Sequence, residues 1–332
     1  MNDTILVTGA TGALGRPLVE RLAAQGARVR AVTRTATSGN LPAGVEVVEG
    51  DPTRPGALDA YLDGVTAVFL HPRAIGDAAA DLLARARERG ASRVVALSDM
   101  NADDPLDQQP SRFRGDRNKE AEAAAAESGL EWTSLRASSF AGNALQAWAA
   151  QIRAGDVVRY VHAGFQEVPI DERDLVEAAA RALLGDARGI LELTGPESLT
   201  HAGMVAAIGA AIGRPLRFEE IPPEAAERHL TANGLPEPFV HALLARYARH
   251  AEHPQHPVTP DLEKTLGRPG RTFAAWAADH AAAFAGNEGP VAVRPGRVRP
   301  ARRAATSRPA GRWRSRCAAS RPGIRAGSAG PA

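Results

Sequence analysis

A chain of 332 residues, 44% hydrophobic and 23% charged, has an ordinary globular composition and enough length for one large or two modest domains. No apolar run reaches the roughly 18 residues of a membrane span, Met1-Asn2-Asp3 lacks the basic start of a signal peptide, and the single Cys317 excludes a disulfide framework or a cysteine metal site, so a cytoplasmic protein is expected. The pI of about 9.0 misleads: eleven arginines and one acid in residues 286–332 leave 29 basic and 37 acidic residues before them, net −8, so no specific nucleic-acid face is expected.

In chain order, residues 4–8 (TILVT) read as a strand, then a glycine-rich turn, then an amphipathic helix from Ala13 to Gln25. Residues 27–34 and 45–51 give two more strands. Residues 65–71 and 92–98 are apolar runs suited to strands covered on both faces. Helical patterns at 55–63 and 76–89 lie between them, followed by helices at 116–128 and 139–153 around a strand at 130–136. Strand and helix alternate, which predicts an α/β Rossmann-type, doubly wound parallel sheet. From 157 the elements shorten: helices at 172–184 and 202–212, a strand at 190–194, and helical stretches at 222–233, 236–249 and 272–285. The expected organisation is a nucleotide-binding domain over 1–155, taking in the 190–194 strand, and a smaller, mostly helical substrate lobe over 156–285. Residues 286–332, rich in Arg, Pro and Ala without periodicity, read as a disordered tail.

The spacing Gly9, Gly12, Gly15 follows a strand and opens a helix, the context in which a backbone without Cβ approaches a pyrophosphate. Leu14 and Leu18 should pack that helix on the sheet. The second strand ends in Thr33-Arg34-Thr35 with no acid for the ribose hydroxyls. Arg34 suits a 2′-phosphate instead, so NADP(H) is the preferred cofactor and NAD(H) the alternative. Asp51 follows the third strand, placed to meet the adenine.

These pieces resemble the NmrA-like group of atypical short-chain dehydrogenases/reductases. The matching segments are "VTGATGALG", "EGDPTRPGALDAYLDGVTAVFL", "KEAEAAAAESGLEWTSLRASSFAGN", "VPIDERDLVEAAARALL", "ELTGPESLTHAGMVAAIGAAIGRPLRF" and "VTPDLEKTLGRPGRTFAAWAADHAAAF", over residues 4–285. The resemblance implies a cleft holding NAD(P)H and a small substrate. It assigns Gly9, Thr11, Gly12, Leu14 and Gly15 to the pyrophosphate, and Arg34, Asp51 and Pro52 to the adenosine. Leu70, His71, Pro72 and Arg73 would line the nicotinamide ribose, Ser98 would lie beneath the nicotinamide, and Lys119 would reach the ribose hydroxyls. Ala137, Ser138 and Phe140 would run beside the ring. Phe140, Asn143, Trp148 and Phe165 would face substrate. The family often has Pro where this chain has Ala137.

The usual Tyr-x-x-x-Lys proton donor is absent. None of Tyr61, Tyr160 and Tyr247 has lysine four residues on; Lys119 holds the lysine position, with Gly115 where the tyrosine would stand. That favours a reductase of a small conjugated carbonyl or quinone, such as an aromatic polyketide-type metabolite, because hydride addition there leaves a weakly basic oxyanion. Lys119 and Ser98 are the remaining catalytic candidates. A non-catalytic redox sensor is the alternative, and a tailoring enzyme whose net reaction is an oxygenation is another. No metal is expected: His250, His253 and His256 are spaced by three, but Pro254 interrupts any helix aligning them. His71 and His162 read as surface or packing groups, and Asp171 and Asp174 as caps of the helix near Arg173. The protein is expected to be a monomer or homodimer away from membranes.

Overall fold

The apolar runs become strands of one sheet because helices cover both of its faces. The computed structural model describes residues 3–35, 41–251 and 257–285; the basic tail, His253, Pro254 and His256 lie outside the described residues. The first half runs β1 (Thr4–Val7), α1 (Gly15–Ala24), β2 (Arg28–Thr33), β3 (Glu46–Glu49), a 3-10 helix (Pro55–Tyr61), and β4 (Ala67–Leu70). It continues with α2 (Pro72–Ile75), α3 (Ala79–Glu88), β5 (Arg93–Asp99), α4 (Asn118–Glu127) and β6 (Glu131–Ala137). The second half runs α5 (Asn143–Ala154), β7 (Val157–Tyr160), β8 (Gln166–Glu167), α6 (Glu172–Leu184), β9 (Gly189–Leu193) and β10 (Leu199–Thr200). Then come α7 (His201–Ala211), β11 (Arg217–Glu220), α8 (Pro223–Ala232), α9 (Glu237–Arg249), α10 (Asp261–Leu266), α11 (Phe273–Asp279) and α12 (Ala281–Ala285). No helix among the described residues is long and apolar enough to cross a membrane.

The main sheet has the order β3-β2-β1-β4-β5-β6-β9, with every neighbouring pair parallel. The chain moves outward from β1 in one direction, then returns to start β4 on its other side. A ligand crevice belongs at the carboxyl ends of β1 and β4, where the loops diverge. Apolar clusters cover the two faces of the sheet, one including Ile5, Leu18 and Leu183 and the other Leu6, Leu58 and Leu82. A third core gathers α5, α7, α9 and α11 around Trp148, Phe165, Tyr247 and Trp276.

Most expected elements fall within a residue or two of their places. Four differ. The helix at 55–63 is a 3-10 helix opened by Pro55. The helix expected from 139 begins at Asn143, because the preceding backbone pairs sideways: Ile170 N–H donates to Ser139 O and Ala141 N–H to Ile170 O. The 272–285 stretch splits at His280, whose imidazole turns back onto the Trp276 carbonyl. Helix α10 and the parallel β7–β11 pair were too short to register as patterns.

Candidate active site

The glycine loop is built by close backbone contacts. Gly9 adopts φ 68°, in the left-handed region, and a Cβ there would meet the His71 side chain at 2.9 Å. Gly12 N–H donates to Gly9 O at 3.0 Å. Gly15 is the most constrained: a Cβ would stand 2.1 Å from Gly9 O. Behind the loop, Thr8 donates through Oγ1 to Phe69 O and accepts from His71 N–H, tying the ends of β1 and β4 together. The N-terminus of α1 has no side-chain cap and no acid in its first turn. That arrangement fits an anionic pyrophosphate, which would accept from the helix end and balance its dipole. Leu14 and Leu18 are buried beneath it, as expected.

On the adenosine side, Arg34 is exposed directly after β2, beside buried Thr33. Asp51 Oδ1 accepts from the backbone N–H and hydroxyl of Thr53, so part of this carboxylate is used in its own turn; Pro52 is buried. On the nicotinamide side, Leu70 is buried and His71 caps α2, its Nδ1 accepting from Arg73 N–H. Enclosure pushes the His71 imidazole below its ordinary pKa, consistent with a neutral acceptor. Arg73 makes two bonds to the Asp116 carboxylate.

Lys119 is exposed in the first turn of α4. Gly115, where the tyrosine would stand, has φ 96°, a conformation that bulky residues avoid. Ser98 is buried on the sheet side that faces Glu122 of α4. Burial raises the Glu122 carboxyl, but bonds from Arg136 and Ser134 outweigh it and hold it below the usual carboxylate range. Arg136 also pairs with Asp103. This network was invisible in the sequence, where Arg136 was only the arginine of "LR".

Asp99, the last residue of β5, is a further missed group. Its Oδ1 accepts from Asn101 N–H at 2.8 Å, and burial raises its carboxyl pKa despite the Arg246 charge nearby. A raised folded-state pKa means stability that is full below the unfolded value and lost as pH rises through the folded one. Asp99→Asn should therefore raise Tm at neutral pH and leave it unchanged below about pH 3.9, the ordinary carboxylate pKa. Thermal melts across pH test this; an unchanged or lower Tm at neutral pH contradicts it.

Past β6, Ala137 and Ser138 are buried, and Ser138 Oγ donates to Val168 O at 2.6 Å. Phe140 forms a bridge with Ile170 and opens onto a pocket also lined by Asn143, Trp148, Tyr160, His201, Tyr247 and Phe273. The pocket is partly open, with about 330 Å³ of empty space between these side chains. Phe165 stands behind His201 and Tyr247, fully buried, and does not line the pocket. Neither Lys119 nor Ser98 lines it. Tyr160 and Tyr247 do, although nothing local in the sequence marked them.

The remaining candidates resolve as structural groups. Asp171 caps α6, accepting from Arg173 N–H at 2.8 Å. Asp174 is no cap: it is fully buried and paired with Arg268 and Arg271. His162 has φ 48°, and His250 ends α9, its pKa lowered by burial and by Arg246 and Arg249.

The profile of an NAD(P)H-binding family matches residues 9–163. The chain is 37% identical over 287 residues to (4-alkanoyl-5-oxo-2,5-dihydrofuran-3-yl)methyl phosphate reductase of Streptomyces griseus subsp. griseus, covering 85% of this chain and 99% of that one. It is 33% identical to NAD(P)H azoreductase of Xenophilus azovorans, over 84% of this chain and 99% of the other. In fold it is similar to an NADPH-dependent quinone oxidoreductase from Escherichia coli, with TM-score 0.70 and 23% identity over 83% of this chain and 98% of that one. Triphenylmethane reductase of Citrobacter sp. gives TM-score 0.69 and 20% identity over 84% and 99%.

Proposed function

Because the chain belongs to the NmrA-like group of atypical short-chain dehydrogenases/reductases and is an NAD(P)H-dependent reductase, we propose that its hydride acceptor is a small conjugated carbonyl: an α,β-unsaturated ketone or lactone, or a quinone. The observation that carries this reading is left-handed Gly115 at the usual tyrosine position. An isolated ketone needs strong general-acid help, worth about 10²–10⁴ in rate; a conjugated acceptor spreads the new negative charge over several atoms and needs less. The dihydrofuranone in the name of the 37%-identical relative, with acyl and oxo groups on a ring alkene, is an acceptor of this kind. Reductase relatives matched over nearly their whole length displace the sensor alternative.

Bound NAD(P)H supplies the hydride. The chain's own residues bind and orient: Gly9, Thr11, Gly12, Leu14 and Gly15 hold the pyrophosphate at the α1 N-terminus. Arg34 pairs with a 2′-phosphate, Asp51 and Pro52 border the adenine, and Lys119 reaches toward the ribose. Leu70, His71 and Pro72 flank the nicotinamide ribose, while Ala137 and Ser138 carry the chain past the ring to Phe140. Phe140, Asn143 and Trp148 border the substrate, with Phe165 supporting that wall from behind. Ser98, buried near the carboxyl end of β5, would lie beneath the nicotinamide. The third core, with α5, α7, α9 and α11, serves as the substrate lobe.

The substrate class is tested by comparing turnover of quinones, cyclic enones and a phosphorylated acyl-butenolide with that of their saturated ketone counterparts. Conjugated members should be reduced and saturated ones left untouched; equal rates for both contradict the reading. Cofactor choice is tested separately. Arg34→Ala should weaken NADPH binding about 10- to 100-fold, the worth of a hydrogen bond to a charged group, and leave NADH binding unchanged. Equal affinity of the wild type for the two cofactors contradicts the assignment.

A further inference from the structure

The pocket beyond Phe140 contains two phenols that the cofactor cradle does not use. Tyr160 ends β7 and Tyr247 lies on α9; they are 4% and 7% exposed, and both line the cavity. Their rings meet edge to face at 6.2 Å. Trp148 meets Tyr160 edge-on at 5.9 Å, and its indole N–H is buried with no partner among the described residues. A buried donor without an acceptor costs about 1–3 kcal/mol, and packing alone gives no reason to keep one. His201 packs on both phenols; burial lowers its pKa, and its Nδ1 lies 3.1 Å from Val161 O. The wall is rich in donors; its carboxylate, Glu167, lies 3.9 Å from the Arg246 guanidinium, and the Trp148 N–H is left without an acceptor. A substrate oxygen would be that acceptor.

We propose that Tyr160 donates a hydrogen bond, and then its proton, to the substrate's carbonyl oxygen, with the Tyr247 hydroxyl supporting it from behind and the Trp148 N–H as a second donor to the substrate. The proposal rests on the conjugated-carbonyl reading and supplies the donor that the absent Tyr-x-x-x-Lys leaves open. Burial pushes Tyr160 up to about 12 and Tyr247 well above the usual phenol range, so both are neutral donors at pH 7. Tyr160 is the phenol that meets Trp148 edge-on, which sets it beside the unpartnered indole N–H.

In the step, hydride from the reduced nicotinamide forms a C–H bond at the conjugated carbon, and the double-bond pair shifts through to oxygen. The Tyr160 O–H bond breaks as the new O–H bond forms. The phenolate left behind accepts from Tyr247 and regains a proton from water. One hydride and one proton are consumed for each double bond reduced, and the cofactor leaves oxidised.

The test uses the NADP⁺-saturated protein and para-nitrophenol, whose yellow phenolate stands in for the substrate oxyanion. Wild type should bind the phenolate; Tyr160→Phe should bind it about 10- to 100-fold more weakly, the loss of one hydrogen bond to a charged group. Tyr247→Phe should produce a smaller loss. Absence of wild-type binding, or binding indifferent to Tyr160→Phe, overturns the proposal. This readout needs no turnover. Binding through Tyr160 without reduction of any conjugated carbonyl would sink the substrate class alone and leave the donor site standing. In turnover, Tyr160→Phe should lower kcat about 100-fold with little change in KM and remove the solvent deuterium isotope effect. A wild-type kcat with the isotope effect retained overturns the proton-donor role.

Discussion

Gly15→Ala is expected to lower NADPH affinity about 100-fold or more. The added methyl would lie 2.1 Å from Gly9 O, and also within 2.9 Å of the Ala10 Cα, so backbone rather than a flexible side chain must give way. Moving Gly9 disturbs its 3.0 Å bond from Gly12 N–H and its packing on His71, and with them the line of N–H groups at the start of α1. Each charge-assisted bond lost to a phosphate costs about 1.5–3 kcal/mol, so one or two account for the loss. Gly164→Ala is the control, since a Cβ there meets open space. Energy transfer from tryptophan to bound NADPH measures both. Wild-type affinity in Gly15→Ala would show that this cradle does not hold the cofactor.

The largest stability effect is expected at Asp174. This fully buried carboxylate accepts from Arg271 N–H at 2.6 Å and from Arg268 at 2.8 Å, and it also pairs with the Arg271 guanidinium. It fastens the segment after α10 onto α6, just before Phe273 enters the pocket wall. Asp174→Ala leaves two guanidinium groups around a site where only Glu177 still pairs with Arg268. Breaking a buried pair costs about 3–5 kcal/mol; both arginines are partly exposed, so the lower figure applies. Tm should fall by roughly 10 °C and KM should rise as Phe273 loosens. Asp174→Asn, which keeps an acceptor for Arg271 N–H, should lose less. A Tm unchanged in Asp174→Ala would mean that solvent replaces the pair without cost.

Much of the fold was legible because its signals are local. Strands covered on both faces produce contiguous apolar runs such as 67–70, and the Gly9–Gly12–Gly15 spacing sits within a single turn of chain. Helix starts were less legible where tertiary bonds compete: nothing in 139–142 announces that Ile170 will capture that backbone. The cofactor cradle followed from motif and strand ends. The pocket did not, because its phenols come from β7 and α9, far apart in the chain, and meet only through packing. A lysine four residues after a tyrosine is a partner on the same helix and shows in the local sequence. The structure instead gives Tyr160 a second tyrosine as its partner. The ion pairs of Asp174 are illegible locally for the same reason, since its arginines arrive from a distant segment.

Direct hydride transfer from cofactor to a conjugated substrate is the central step of the proposed reaction. The most direct measurement is incubation of the protein with a cyclic enone or acyl-butenolide and NADPH deuterated at the reactive nicotinamide carbon, followed by mass and deuterium NMR analysis of the product. One deuterium at the carbon conjugated with the carbonyl, with the oxygen-side proton drawn from water, is the expected result. A reduced product without deuterium at that carbon, or consumption of NADPH with the substrate unchanged, would contradict it.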